Sequence, residues 1–200
     1  MKKRRWAAWN LICAAGSIKG DNMGKPAKLF LVLPCYNEEE ILDQSAAKIR
    51  EAYEALVKQE LIDRESRILF VNDGSTDNTW TIINALHEKD SVFCGISLSR
   101  NKGHQIAIYA GMNYAVEQGA ECVITIDADL QQDIDALPLF LQKYHDGCDI
   151  VYGVRDSRNT DRFFKRTTAT VYYKIMRLLG CDLVEQSADY RLLSKRAVKA

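Results

Sequence analysis

Asp127 and Asp129 stand one residue apart, directly after the apolar run Val123-Ile124-Thr125-Ile126. The run is short and rich in β-branched residues, the pattern of a strand buried on both faces. Carboxylates at the C-terminal end of such a strand lie on the sheet edge where α/β proteins bind ligands. Two hard oxygen donors at this spacing suit a single divalent cation, Mg²⁺ or Mn²⁺. An Asp-x-Asp also makes an ordinary turn or helix cap. Repetition favours chemistry: three earlier apolar runs end in polar loops as well.

The elements that must position these loops follow from the spacing. A strand predicted at residues 29–33 ends in Pro34-Cys35-Tyr36-Asn37-Glu38. Asn37 and Glu40 are placed as a capping box, and Ile41, Ile49, Ala52, Tyr53 and Leu56 give the next helix its apolar face. A second strand, 68–71, runs into Asn72-Asp73-Gly74-Ser75-Thr76-Asp77. Gly74 permits a tight turn there, and Asp77 is the expected N-cap before Trp80, Ile83 and Leu86. A third strand, 93–98, ends in Ser99-Arg100-Asn101-Lys102-Gly103-His104, and its helix is expected to stop at Gly119. Cationic groups and close backbone approach in that loop suit a phosphate or nucleotide. After the Asp pair a helix is predicted from Asp133 to near Gly147. Alternating strands and helices imply right-handed βαβ crossovers and a mainly parallel sheet, which gathers all four loops on one edge.

PCYNEEE at 34–40, NDGSTD at 72–77, SRNKGHQIA at 99–107 and DADLQ at 127–131, in this order, resemble the inverting family 2 glycosyltransferases of GT-A fold. Within that family the pattern looks closest to the polyprenyl-phosphate sugar transferases, the dolichol-phosphate mannose synthase and bactoprenol glucosyltransferase type. YGVRDSR at 152–158, FFKR at 163–166 and ADYRLLSKRAV at 188–198 extend the resemblance over residues 28–200. One departure is visible: many such enzymes follow DADLQ with a Pro-Pro-Glu type turn, whereas this chain reads Gln132-Asp133-Ile134-Asp135 and delays proline to Pro138.

The resemblance implies a Rossmann-like, mainly parallel sheet flanked by helices. It also implies transfer of a hexose from a nucleotide-diphosphate sugar, UDP-glucose or a relative, to a polyprenyl phosphate in cell-envelope synthesis. It places Pro34, Tyr36, Glu38, Asp73, Lys102 and Asp127 around the nucleotide. Asp127, Asp129 and Gln131 become the metal set, and Asp129 acts in catalysis with Asp189 as base or acceptor-positioning group. Arg100, Arg158, Arg162, Arg166 and Arg191 are expected to meet donor or acceptor phosphates, the basic run from Arg155 to Arg166 closing over the cleft. His104, at a helix start, is read as a polar cap before a catalytic group. Two other readings stay open: transfer to a glycan hydroxyl in surface polysaccharide synthesis, and a nucleotide-sugar binding module without turnover. A dinucleotide-binding dehydrogenase is disfavoured, since no G-x-G-x-x-G follows the first strand.

Composition sets bounds. With 200 residues, 47% of them hydrophobic, one domain can bury a sizeable core. Equal numbers of basic and acidic residues, 27 each, give no overall attraction to nucleic acid. Six cysteines without a C-x-x-C pair read as reduced thiols. No window approaches the roughly 18–20 apolar residues that cross a bilayer. Residues 1–27 are expected to be a disordered or misassigned extension, its KKRR start only faintly like a signal peptide and Met23 a natural start. The catalytic domain is expected over 28–200, with Ser194 capping a helix cut at Ala200. In the resembled enzymes membrane-spanning helices follow, which would hold the domain at the cytoplasmic face of the cell membrane. A homo-oligomer is possible on the same ground.

Overall fold

A computed structural model describes residues 9–17, 25–155 and 187–200. In chain order the elements are β1 (Trp9–Ser17), β2 (Leu29–Cys35), α1 (Leu42–Lys58), β3 (Arg67–Asn72), α2 (Thr79–Lys89), β4 (Phe93–Ser97) and α3 (His104–Glu117). Then come β5 (Cys122–Thr125), a 3-10 turn (Ile134–Ala136), α4 (Leu137–His145), β6 (Cys148–Arg155), β7 (Ser187–Ser194) and α5 (Lys195–Lys199).

The strands form one seven-stranded sheet in the order β1-β6-β7-β5-β2-β3-β4. β2, with every residue buried, pairs in parallel with β3 on one side and β5 on the other, and β4 extends the parallel half beyond β3. The winding from β2 to β3 to β4 runs one way; the step to β5 reverses it. Right-handed crossovers in opposite directions must put their helices on opposite faces. Accordingly Leu42, Ile49 and Leu56 of α1 and Ile83 of α2 share one core, while Ala107, Ile108 and Ala115 of α3 pack with Val32, Val71 and Val123 on the other face; Phe140 of α4 joins the α1 core, a placement that the rule does not supply. The reversal creates a switch point between β2 and β5, outside whose carboxyl ends α/β sheets take their ligands.

The other half of the sheet is antiparallel, with β7 inserted between β5 and β6. The parallel half and its flanking helices are the α/β fold expected from the sequence; the antiparallel half adds to it, because βαβ alternation says nothing of a strand that returns from beyond residue 155. Two further differences concern the N-terminal part. Trp9–Ser17, expected in a disordered extension, form edge strand β1, antiparallel to β6. Cys13 is joined to Cys148 in a disulfide 135 residues apart in sequence, against the expectation of reduced thiols. That expectation rested on short spacing, whereas the antiparallel register of β1 on β6 brings the two sulfurs together. Cys35, Cys94 and Cys122 are free; burial pushes the thiols of Cys35 and Cys122 far up, and that of Cys94 to about 11.

Candidate functional site

The loops after β2 and β3 are stitched together. Asn37 N donates to Ser75 Oγ at 3.0 Å, Glu38 N to Thr79 Oγ1 at 2.8 Å and Glu39 N to Asp77 Oδ2 at 3.1 Å. In return Thr76 N donates to Asn37 Oδ1 at 2.9 Å and Asn78 N to Glu39 Oε2 at 2.9 Å. Asn37 therefore does not open a capping box. It sits at φ 56° and turns its amide across to the neighbouring loop, and α1 begins only at Leu42. The predicted cap at Asp77 is one residue off: Asn78 is the N-cap, and Asp77 Oδ1 accepts Thr79 N at 3.0 Å. Pro34 is tolerated inside central β2 for a local reason. Cys35 O already accepts Asp73 N, so alternation turns position 34 towards β5, whose ladder ends at Thr125.

Asp73 ties the third loop to the second. Only 3% exposed, its two carboxylate oxygens accept Lys102 N at 2.7 Å and Gly103 N at 2.9 Å. Gly74 makes room for this: at φ +65°, a Cβ there would lie 2.4 Å from Arg100 C and Asn101 N. Only a residue without a side chain fits both the conformation and the approach.

The fourth loop folds back on itself. Leu130 N donates to Asp127 O at 3.0 Å with Leu130 at φ 49°, a left-handed turn that a Leu adopts at a cost. The turn returns the chain so that buried Gln132 lies against Asp127: its Oε1 accepts Asp127 N at 3.2 Å, and its Nε2 donates to Asp127 Oδ2. His104 Nε2 lies 3.5 Å from Asp127 Oδ1. Asp129 is exposed and accepts Gln131 N at 3.0 Å. Below the loop, Tyr190, fully buried against Phe140, donates its hydroxyl to Asp133 O at 3.0 Å and fixes the turn to β7.

Charge shows how the loops meet. Burial, then the negative charges of Asp129, Asp77 and Asp127, push the Glu38 carboxyl above its ordinary value. Acids from the loops after β2, β3 and β5 thus lie near enough at the switch point for their charges to act on Glu38. Among the described residues no group of three or more His, Cys, Asp or Glu is arranged to hold a metal ion by itself. Two carboxylates that leave the remaining positions to substrate phosphates are how Mg²⁺ is commonly held, so the residues fit a cation shared with a diphosphate.

Of the residues singled out from sequence, Glu38, Asp127 and Asp129 come together. Pro34 is buried in β2, while Tyr36 is 45% exposed. Arg100 and Lys102 are exposed in the third loop, and Gln131 is exposed beside Asp129. Asp189 lies on β7, and Arg191 follows between Thr125 and Tyr152. Arg191 Nε is buried without a hydrogen-bond partner among the described residues. Arg158, Arg162 and Arg166 fall outside the described residues. Sequence reasoning missed the cross-loop roles of Asn37 and Glu39. It also missed Gln132, whose neighbour Gln131 drew the attention; only the left-handed turn at Leu130 decides which of the two glutamines folds inward.

Comparison with known proteins bears on this arrangement. The model of the glycosyl transferase family 2 matches residues 30–200. An uncharacterized glycosyltransferase, YkoT of Bacillus subtilis, is 46% identical over 171 residues, covering 86% of this chain and 50% of the relative. The bactoprenol glucosyl transferase of Shigella phage SfV is 38% identical over 173 residues, covering 86% of this chain and 53% of its own length. The chain spans about half the length of the curated relatives it matches. A mycobacterial crystal structure aligns over 85% of this chain and 54% of that one with a TM-score of 0.56 at 17% identity, a likeness of fold.

Proposed function

The chain belongs to glycosyl transferase family 2, and from that premise we propose that it moves a hexose, with inversion, from a nucleotide-diphosphate sugar such as UDP-glucose to a polyprenyl phosphate. The observation that carries the donor half of this reading is the meeting of Glu38, Asp127 and Asp129 at the switch point between β2 and β5. The acceptor half is supported by the name of the phage relative, and it draws on a region beyond Ala200 to bring the domain to the cytoplasmic membrane face.

In this reading the nucleotide lies over the stitched loops. Tyr36 offers a half-open ring for the base, with Pro34 as floor and Glu38 and Asp127 beside the ribose. Asp73 holds Lys102 and Gly103 in place and keeps lone pairs for a base N–H, since an ionised carboxylate accepts more than two hydrogen bonds. Asp129, with Asp127 and Gln131, would hold Mg²⁺ or Mn²⁺. That ion would neutralise the charge that builds on the diphosphate as its bond to the sugar breaks. The acceptor oxygen attacks the anomeric carbon from the face opposite the leaving group. A phosphate is already anionic, so it needs orientation more than a strong base. Asp189 is assigned to position it, and Arg191, with a buried nitrogen lacking a protein partner among the described residues, is assigned to bind its charge. Arg100, Arg158, Arg162 and Arg166 would complete the phosphate contacts.

The test is a calorimetric titration of UDP and GDP with Mn²⁺ and with chelator, on the wild type and on Asp129→Ala. Binding that requires both the ion and Asp129 is expected, followed by transfer of labelled hexose to an added polyprenyl phosphate. Failure of both nucleotides to bind a sample that still melts cooperatively would sink the donor-site assignment.

A further inference from the structure

Gln132 has no part in the assignments above, yet both ends of its side-chain amide meet Asp127. The residue is buried, 7% exposed. Oε1 accepts the Asp127 backbone N–H at 3.2 Å while Nε2 donates to Asp127 Oδ2. The pair selects a single amide orientation. Rotated by half a turn, the amide would set NH₂ against N–H and oxygen against carboxylate, two repulsions in place of two bonds. A carboxylate with Oδ2 held in this way cannot rotate freely, and its Oδ1 is left on the His104 side, 3.5 Å from Nε2.

We propose that Gln132 is a positioning residue of the donor site, acting through Asp127 by fixing which carboxylate oxygen is offered to the ligand. The inference rests on the donor-site reading and deepens it. With Oδ2 bonded to Gln132, the Asp127 carboxylate is held in one orientation, while Asp129 beside it is exposed. The turn that makes this possible runs through Leu130 at φ 49°, where the chain accepts an unfavourable backbone to bring residue 132 beneath residue 127. Gln131, one residue earlier, is exposed.

The experiment is a double-mutant cycle on nucleotide affinity. UDP and GDP are titrated with Mn²⁺ into the 200-residue chain carrying Gln132→Met, Asp127→Asn, or both, with a thermal melt of each sample. Gln132→Met preserves side-chain length and removes both bonds. Loss of an outer partner of a ligating group costs about 10–100-fold in affinity, so Gln132→Met is expected to weaken binding by that factor. In the Asp127→Asn background the same change is expected to cost less than about 2-fold, because residues acting through one another are non-additive. A residue that merely stabilised the loop would cost the same factor in both backgrounds, and that result overturns the proposal.

Gln132→Glu is the second variant, and it guards against a Met protein that fails to fold. It keeps an oxygen for the Asp127 N–H but loses the donor to Oδ2, so it too is expected to bind at least 10-fold more weakly. Wild-type affinity in Gln132→Glu overturns the proposal. If the wild type itself binds neither nucleotide, the donor-site reading falls and the assignment of Gln132 with it.

Discussion

Replacing Asp73 by Asn tests how the cleft is held together. The carboxylate is 3% exposed and accepts two backbone N–H groups at 2.7 and 2.9 Å, so both bonds are charge-assisted and shielded from water. Asn keeps the shape and one oxygen but turns an NH₂ towards the second amide, donor facing donor. Losing one charge-assisted bond costs about 2 kcal/mol, and weakening the other to a neutral bond about 1 kcal/mol more. A total of about 3 kcal/mol lowers the melting temperature of a chain this size by about 6–12 °C. Should the third loop open by itself rather than pull the whole domain down, the loss appears locally instead. Exchange of the Lys102 and Gly103 amides then accelerates by about 100-fold while the melt stays put. Differential scanning calorimetry and amide exchange on the same samples separate these outcomes. A variant that melts within about 2 °C of wild type with unchanged exchange at residues 102 and 103 refutes the clamp.

Gly74→Ala puts a Cβ 2.4 Å from the backbone of Arg100 and Asn101 at φ +65°, and neither atom is the yielding end of a side chain. It is expected to cost about 2–4 kcal/mol in urea unfolding and to weaken nucleotide binding together with stability. A different pH signature comes from Asp149 on β6. Burial alone would raise its carboxyl, but the hydrogen bonds from Arg196 and Ser194 and the Arg196 charge outweigh that and hold it below the ordinary value. A lowered folded value means that the unfolded chain binds the proton first. The stabilisation is therefore present above the unfolded value, near pH 4, and disappears as pH falls through the folded one. The urea midpoint of wild type should fall more steeply below pH 4 than that of Asp149→Asn; parallel curves would contradict the assignment.

Much of the fold was legible because burial on both faces leaves its mark on composition. The runs at 29–33, 68–71, 93–98 and 123–126 became β2, β3, β4 and β5, and Gly119 ended α3 at φ 88° as expected. Asp127 and Asp129 were legible for the same reason, as acids placed where a buried strand must end. The antiparallel half left a weaker mark. β1 and β7 follow no βαβ rhythm, and the partnership of Cys13 with Cys148 depends on a register between strands 135 residues apart.

What the chain determined by itself, then, was local: strand, turn and helix, and from their alternation the edge on which the polar loops gather. Hydrophobic period and turn chemistry act over a few residues and can be read off them. Only the tertiary structure decided which polar groups are partners. Asn37 caps nothing locally but answers Thr76, Asp73 receives Lys102 and Gly103, and Gln132 rather than Gln131 holds Asp127. A side-chain hydrogen bond is fixed by distance and direction in space. Those exist only once β2, β3 and β5 have set their loops side by side.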